Sequence, residues 1–146
     1  MKALTMFIGV GLAITSCLVS AKKIYGDVQV THIAPTENIK WQRENQHTPL
    51  YPIELARKGT RGCAVMSFDI SSAGKAENIE VISSVPKKDV GKYSKQALKK
   101  WKWIPVEGIT QPGTEKRTMR LDYCISNGSA EQVEQACREQ VKVNCR

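Results

Sequence analysis

Two stretches of the chain alternate apolar and polar residues with a period of two. Between Cys63 and Ile70, the residues Ala64, Met66, Phe68 and Ile70 fall on one side, and Cys63, Val65, Ser67 and Asp69 on the other. That is the pattern of a half-buried strand. Ser71-Ser72-Ala73-Gly74 follows, with a glycine free to take positive φ, and Ile79 to Val85 supplies a β-branched run, so the segment predicts a hairpin. From Arg117 to Ile125 the alternation returns, setting Met119, Leu121, Tyr123 and Ile125 against Thr118, Arg120, Asp122 and Cys124. This predicts a third strand with one apolar face.

Elsewhere the period is helical. Pro52 to Gly59 has proline where a first turn lacks a hydrogen-bond partner, basic residues near its end and a glycine for a left-handed cap, which predicts one short helix. After Pro86, Val90, Tyr93, Ala97, Leu98 and Trp101 form a stripe, the lysines at 92, 95, 99 and 100 lie mostly off it, and Pro105 prevents continuation. Ser129 and Gln132 form a capping-box pair ahead of Val133, Cys137 and Val141, which predicts a last helix. Residues 22–50 are mixed and polar with two prolines, Pro35 and Pro49, and read as a linker or loosely attached arm.

Lys99-Lys100-Trp101-Lys102-Trp103-Ile104-Pro105 interleaves cations with indoles. Exposed indoles would suit base stacking. The core reading needs only that Trp101 end the helical stripe and that Trp103 enter the next segment, each ring burying a large area. We take both indoles as core, and expect no nucleic-acid partner.

At the start, Lys2 precedes an apolar run from Ala3 to Thr15 and a small-residue exit at Val19-Ser20-Ala21. The run is short for a membrane span and has the form of a secretory signal. Ile14-Thr15-Ser16-Cys17 also resembles a bacterial lipobox, with Cys17 as the acylated residue. Cleavage after Ala21, lipidation at Cys17 and an uncleaved anchor all place the rest of the chain outside the cytoplasm, in the periplasm or on the envelope. The last two routes tie it to a membrane.

Loss of residues 1–21 removes one lysine and no acid, so the +8 of the whole chain becomes +7. Such a charge attracts anionic lipid or acidic protein segments. Four cysteines remain, Cys63, Cys124, Cys137 and Cys145, an even number in a disulfide-permissive compartment and without the C-x-x-C spacing of a zinc site. Two disulfides are expected, and neither a metal nor a cofactor. His32 and His47 both lie in the arm, while Asp69 and Asp122 fall on the outward side of strands as surface charges. No nucleophile with its base, paired carboxylates or phosphate loop is present, so no enzyme activity is expected.

Tyr51-Pro52, Ala56, Gly59, Gly62, Val65, Phe68, Ile70, Gly74, Val81, Ser83-Ser84, Ala97-Leu98, Trp101-Lys102-Trp103 and Pro105, in that order, resemble the C-terminal domain of the TonB family of energy transducers. The resemblance covers residues 51–125, and leaves 126–146 as a C-terminal helical extension. It implies an α+β fold, a three-stranded antiparallel sheet packed with helices, to which this chain adds a helix. It also implies that the last strand, with Arg117, Met119, Arg120, Leu121 and Tyr123, is an edge. There an extended segment of an outer-membrane receptor or other envelope protein, the Ton box, adds as a further strand. Arg117 and Arg120 would steer an acidic partner. If the first and third strands are antiparallel neighbours, as in the related fold, Cys63 would pair with Cys124 and Cys137 with Cys145; four cysteines allow three connectivities. The added helix would either cover the sheet's open face or mask its edge.

The chain also departs from the family. The apolar segment has no histidine of the kind expected in a transducer's anchor, and Leu50 stands where a glutamine is common before Tyr51-Pro52. Residues 22–50 reach about 100 Å at full extension and far less when relaxed. The resemblance therefore implies binding rather than force transmission by this chain alone, and a disulfide-stabilised structural or anionic-lipid-surface module is the alternative.

Overall fold

The computed structural model describes residues 23–146, so the signal-like segment and Cys17 lie outside the described residues. Nine elements follow in chain order: β1 (Tyr25–Ala34), β2 (Trp41–Arg43), α1 (Ile53–Arg57), β3 (Gly62–Ile70), β4 (Ala76–Val85), α2 (Asp89–Lys100), β5 (Trp103–Pro105), β6 (Glu115–Ser126) and α3 (Ala130–Gln140). The fold is α+β. Its main sheet is antiparallel and four-stranded in the order β1-β6-β3-β4, with β2 and β5 forming a separate two-stranded ribbon.

The predicted hairpin forms as β3 and β4, and the predicted third strand as β6 beside β3. The alternation in β3 and β6 sends Ala64, Met66, Phe68, Ile70, Met119, Leu121 and Tyr123 to one face, where they are buried with Leu55 of α1 and Val90 and Leu98 of α2. Gly91 lets α2 sit close on β4, since a Cβ there would lie 2.9 Å from Ser84 Oγ and 3.0 Å from Val81 Cγ1. The β3–β4 turn folds under the ribbon: Gly74 takes φ +71°, its carbonyl accepts from the Trp103 amide at 3.0 Å, and its missing Cβ leaves room for the Trp103 carbonyl.

The second face carries α3 over β6 and β1. A smaller cluster of Cys124, Val133 and Cys137 lies there, apart from the main core. The capping box at Ser129 and Gln132 forms as the sequence predicts.

Three expectations are corrected. Residues 22–50 are not merely a linker, because β1 and β2 arise within them. The disulfides join Cys63 to Cys145 and Cys124 to Cys137, not Cys63 to Cys124 and Cys137 to Cys145. Cys63 and Cys124 do share the second face, but Cys63 stands opposite Asp122, one diagonal step from Cys124. The α3 helix meets Cys124 through Cys137, and the tail beyond it turns back to Cys63. Finally, Trp103 is 4% exposed, but Trp101 is only half-buried, with the Arg43 guanidinium 4.5 Å from its ring centroid. Trp101 ends α2 in an extended conformation, which turns its ring to the rim of the core.

Candidate functional site

The strand expected to receive a partner is β6, and it is not an edge. Along one side it pairs with β3 from Gly62↔Tyr123 to Ile70↔Glu115; along the other it pairs with β1 from Tyr25↔Ser126 to Ala34↔Thr118. The run Leu121 to Ile125 is buried at every residue. Continuous burial is the signature of a central strand covered on both faces, here by α2 and α3. The sheet's free margins are β1 and β4. Two register shifts against β3 break β4, which carries Glu77 and Glu80 and ends before Pro86. These features blunt an edge. Nine of the ten β1 residues pair in register with β6, and the irregularity falls only at His32/Ala34.

None of the five strand residues singled out in the sequence offers its side chain outward. Met119, Leu121 and Tyr123 are core. The Tyr123 hydroxyl shares a 2.9 Å hydrogen bond with Ser94 of α2, and burial pushes its pKa up to about 12, with the Ser94 contact opposing. Arg117, expected to steer a partner, is 2% exposed: it pairs with buried Glu115, donates to the Trp41 carbonyl at 2.9 Å and lies 5.0 Å from the Trp103 ring centroid. Arg120 grips Asp122 through two bonds of 2.7 and 2.8 Å and donates to the Val143 carbonyl at 2.8 Å, so it fastens the tail beyond α3. Asp122, expected as a surface charge, is fully buried by that pair.

The motif residues fall around this strand. Pro52 caps α1; Tyr51 stacks edge-on against Tyr123 at 5.7 Å and donates its hydroxyl to the Thr60 carbonyl. Burial raises the Tyr51 pKa, and Tyr123 adds to the shift. Gly62 passes beneath Val85, Phe68 packs on Trp103 at 5.6 Å, and Pro105 pairs with Trp41 in the ribbon. Leu98 is buried, whereas Ala97 joins Tyr51, Pro52, Tyr93 and Trp101 around a shallow groove beside Leu50, which is 93% exposed.

The sequence reading missed Gly26, Val28 and Val30. Val28 stands opposite Tyr123 and is buried in the main core, Val30 stands opposite Leu121, and Gly26 lies under the Tyr51 ring. The signal for them was the spacing of two between Val28 and Val30 in a stretch with Thr31 and Ile33. His32, at the exposed end of β1, has its pKa lowered by desolvation and then by the Arg117 and Arg43 charges. Among the described residues, no three His, Cys, Asp or Glu side chains converge as a metal site, and no helix is long and apolar enough to cross a membrane.

The protein TonB of Salmonella typhimurium is 29% identical over 59 residues, 40% of this chain and 24% of that protein. The protein TonB of Pseudomonas aeruginosa is 33% identical over 57 residues, 39% of this chain and 17% of that protein. The chain thus spans a quarter or less of those relatives' lengths. The solution NMR structure of the Pseudomonas aeruginosa TonB C-terminal domain aligns with 62% of this chain and 87% of that domain at 25% identity and a TM-score of 0.41. Residues 47–125, more than half of the chain, match the model of the Gram-negative bacterial TonB protein C-terminal family, and the chain belongs to that family.

Proposed function

We propose that this chain is a binding module of the bacterial envelope that docks an extended segment of an outer-membrane receptor, or of another envelope protein, on the β1 side of its sheet, beyond β1 or in its place on β6. The role belongs to TonB-dependent transport and involves no catalysis. The observation that carries this reading is the long, regular margin built directly on the family-matched residues, beside a β4 margin blunted by irregularities and acids. Strand addition uses backbone N–H and C=O groups for affinity and side-chain pockets for selectivity. Two disulfides joining otherwise separate parts of the chain fit an oxidising compartment, which supports export to the periplasm.

The test is a panel of synthetic Ton-box-like peptides added to the isotopically labelled chain. Binding at the margin shifts the backbone signals of residues 25–34 and 117–125 and leaves those of β4 in place. Silence of both strands across the panel overturns the reading.

One observation favours a second reading, an anionic-lipid-surface module. Lys88, Lys92, Lys95 and Lys99 repeat at helical spacing along α2, and the nearby Asp89 is already paired to Lys58 at 2.9 Å. On this reading the chain binds vesicles containing anionic lipid, binding falls steeply with added salt, and replacing the four lysines by glutamine removes it while peptide binding is untouched.

A further inference from the structure

Family resemblance makes β6 the receiving strand, yet in this chain its outer side is already filled by β1. The residues of β1 precede the family-matched region, which begins at residue 47. They meet β6 only after the chain has passed through the ribbon, α1, the hairpin and α2, so β1 is laid on the family-matched part from outside it in sequence. Of the fourteen residues that make up the main buried cluster, Val28 alone comes from β1. Val30 packs on that cluster half-buried, and Thr31, His32, Ile33 and Ala34 are exposed. No residue of β1 is itself bridged: one disulfide holds α3 to β6 and the other holds the tail to β3, while Asp27 meets the Cys137 sulfur only through a non-covalent contact. The second face is therefore fastened covalently, while the margin strand is held without a covalent link, by backbone pairing, two valines and the contacts of Tyr25 and Asp27 beside α3.

Resting on the strand-addition reading above, we propose that β1 is an intramolecular stand-in for the partner. It occupies the β6 margin in the free protein, gives way when the partner binds, and displays in its own sequence the pattern the partner must carry. Three positions on the core-facing side of β1 set that pattern. At Gly26 a Cβ would lie 2.8 Å from Tyr51 Cγ and 2.9 Å from Tyr51 Cδ2, so a side chain there collides with a ring already fixed against Tyr123. Two residues on, the pocket beside Tyr123 takes Val28; two further, the surface beside Leu121 takes Val30. The partner segment thus reads glycine, any residue, a small apolar residue, any residue, a small apolar residue. The intervening positions face α3 and solvent, and tolerate polar side chains as Asp27 and Gln29 do.

This assignment has a quantitative consequence. A tethered strand acts at an effective concentration set by its linker, on the order of millimolar for a short flexible one. A free partner sees only the fraction of molecules whose margin is open, and its apparent affinity falls by that fraction. Loosening β1 must therefore tighten binding of a competing strand.

The probe is a synthetic, end-blocked decapeptide of residues 25–34, added to the full chain, to Val28→Asp/Val30→Asp and to Gly26→Val. The loosened chains bind the decapeptide at least tenfold more tightly than the unaltered chain does, and a decapeptide with both valines replaced by aspartate binds none of them. For a variant whose spectrum shows an intact sheet and a detached β1, affinity equal to that of the unaltered chain, or no binding, overturns the proposal. Should the double variant fail to fold, Gly26→Val decides. Should neither variant detach β1, hydrogen exchange of the unaltered chain decides: β1 amides exchanging at least tenfold faster than those at the centre of β3 are expected, and equal protection overturns the proposal. The receptor reading fails separately. If the decapeptide binds the loosened chains and no Ton-box-like peptide does, the stand-in remains and the receptor assignment falls. If Ton-box-like peptides bind all three chains equally, the receptor assignment remains and the stand-in falls.

Discussion

Arg117 shows how far a residue's role can lie from its place in an alternating pattern. It falls on the same side as Met119 and Leu121, and it is accommodated there because Glu115 and the Trp41 carbonyl receive its guanidinium, while Glu115 also accepts the Lys40 amide at 2.6 Å. Removing one member of such a pair strands the other in a low-dielectric site. Arg117→Ala is expected to cost about 3–5 kcal/mol in urea unfolding, and Arg117→Met combined with Glu115→Gln distinctly less. A loss below about 1 kcal/mol for the single change would show that the pair is solvated. His32 tests the end of β1. Its folded pKa lies below the usual 6.5 because of desolvation and the Arg117 and Arg43 charges, so the stability it reflects is present above pH 6.5 and is lost as pH falls. NMR titration should find His32 titrating below 6.5, with lower protection factors for the β1 amides, corrected for the intrinsic rate, on acidification; a His32 titrating at or above that value contradicts the contact.

At the scale of elements, the sequence was most informative where one face is wet. The β3–β4 hairpin and α2 could be read because a clear period survives: β4 and α2 keep exposed positions, and along β3 from Ala64 fully buried residues alternate with partly buried ones. The α3 helix was legible through its capping box, and there Ser129→Ala is expected to cost about 1 kcal/mol, read from the thermal midpoint by circular dichroism. The β1 strand escaped because only Val28 is fully buried, so its period-two pattern is thin. The pairing that stabilises it is also with a strand some ninety positions away, which local pattern cannot reveal. The position of β6 within the sheet failed for a related reason. Asp122 and Arg120 look like a wet face, but Asp122 is buried against a half-buried Arg120, and pattern alone does not distinguish a charge in water from a charge that has met its partner.

For the molecule as a whole, the four cysteines were legible as two bridges and their connectivity was not. The bridge partners are set by where α3 and the tail settle on the second face. That placement depends on Arg120 holding the Val143 carbonyl and on Cys137 meeting Cys124, contacts that exist only once the sheet has formed. The connectivity has an energetic consequence. Cys63–Cys145 closes a separation of 82 residues and Cys124–Cys137 one of only 13. All four sulfur-bearing residues are buried, at 0% and 4% exposure in the first pair and 0% and 3% in the second, so the packing lost on replacing either pair by alanine is similar. The difference then lies in the unfolded chain, whose loop-closure entropy grows with the logarithm of loop length, making the long bridge worth about 1–2 kcal/mol more than the short one. We expect Cys63→Ala/Cys145→Ala to lower the urea unfolding free energy by that much more than Cys124→Ala/Cys137→Ala does. Both variants should keep the slow exchange of the β3 and β6 amides, because the main core contains none of the four cysteines. If the short-loop variant proved the less stable, the second-face cluster of Cys124, Val133 and Cys137 would be contributing packing that chain entropy does not describe, and α3 would have to be regarded as part of the core rather than as a cover strapped onto it.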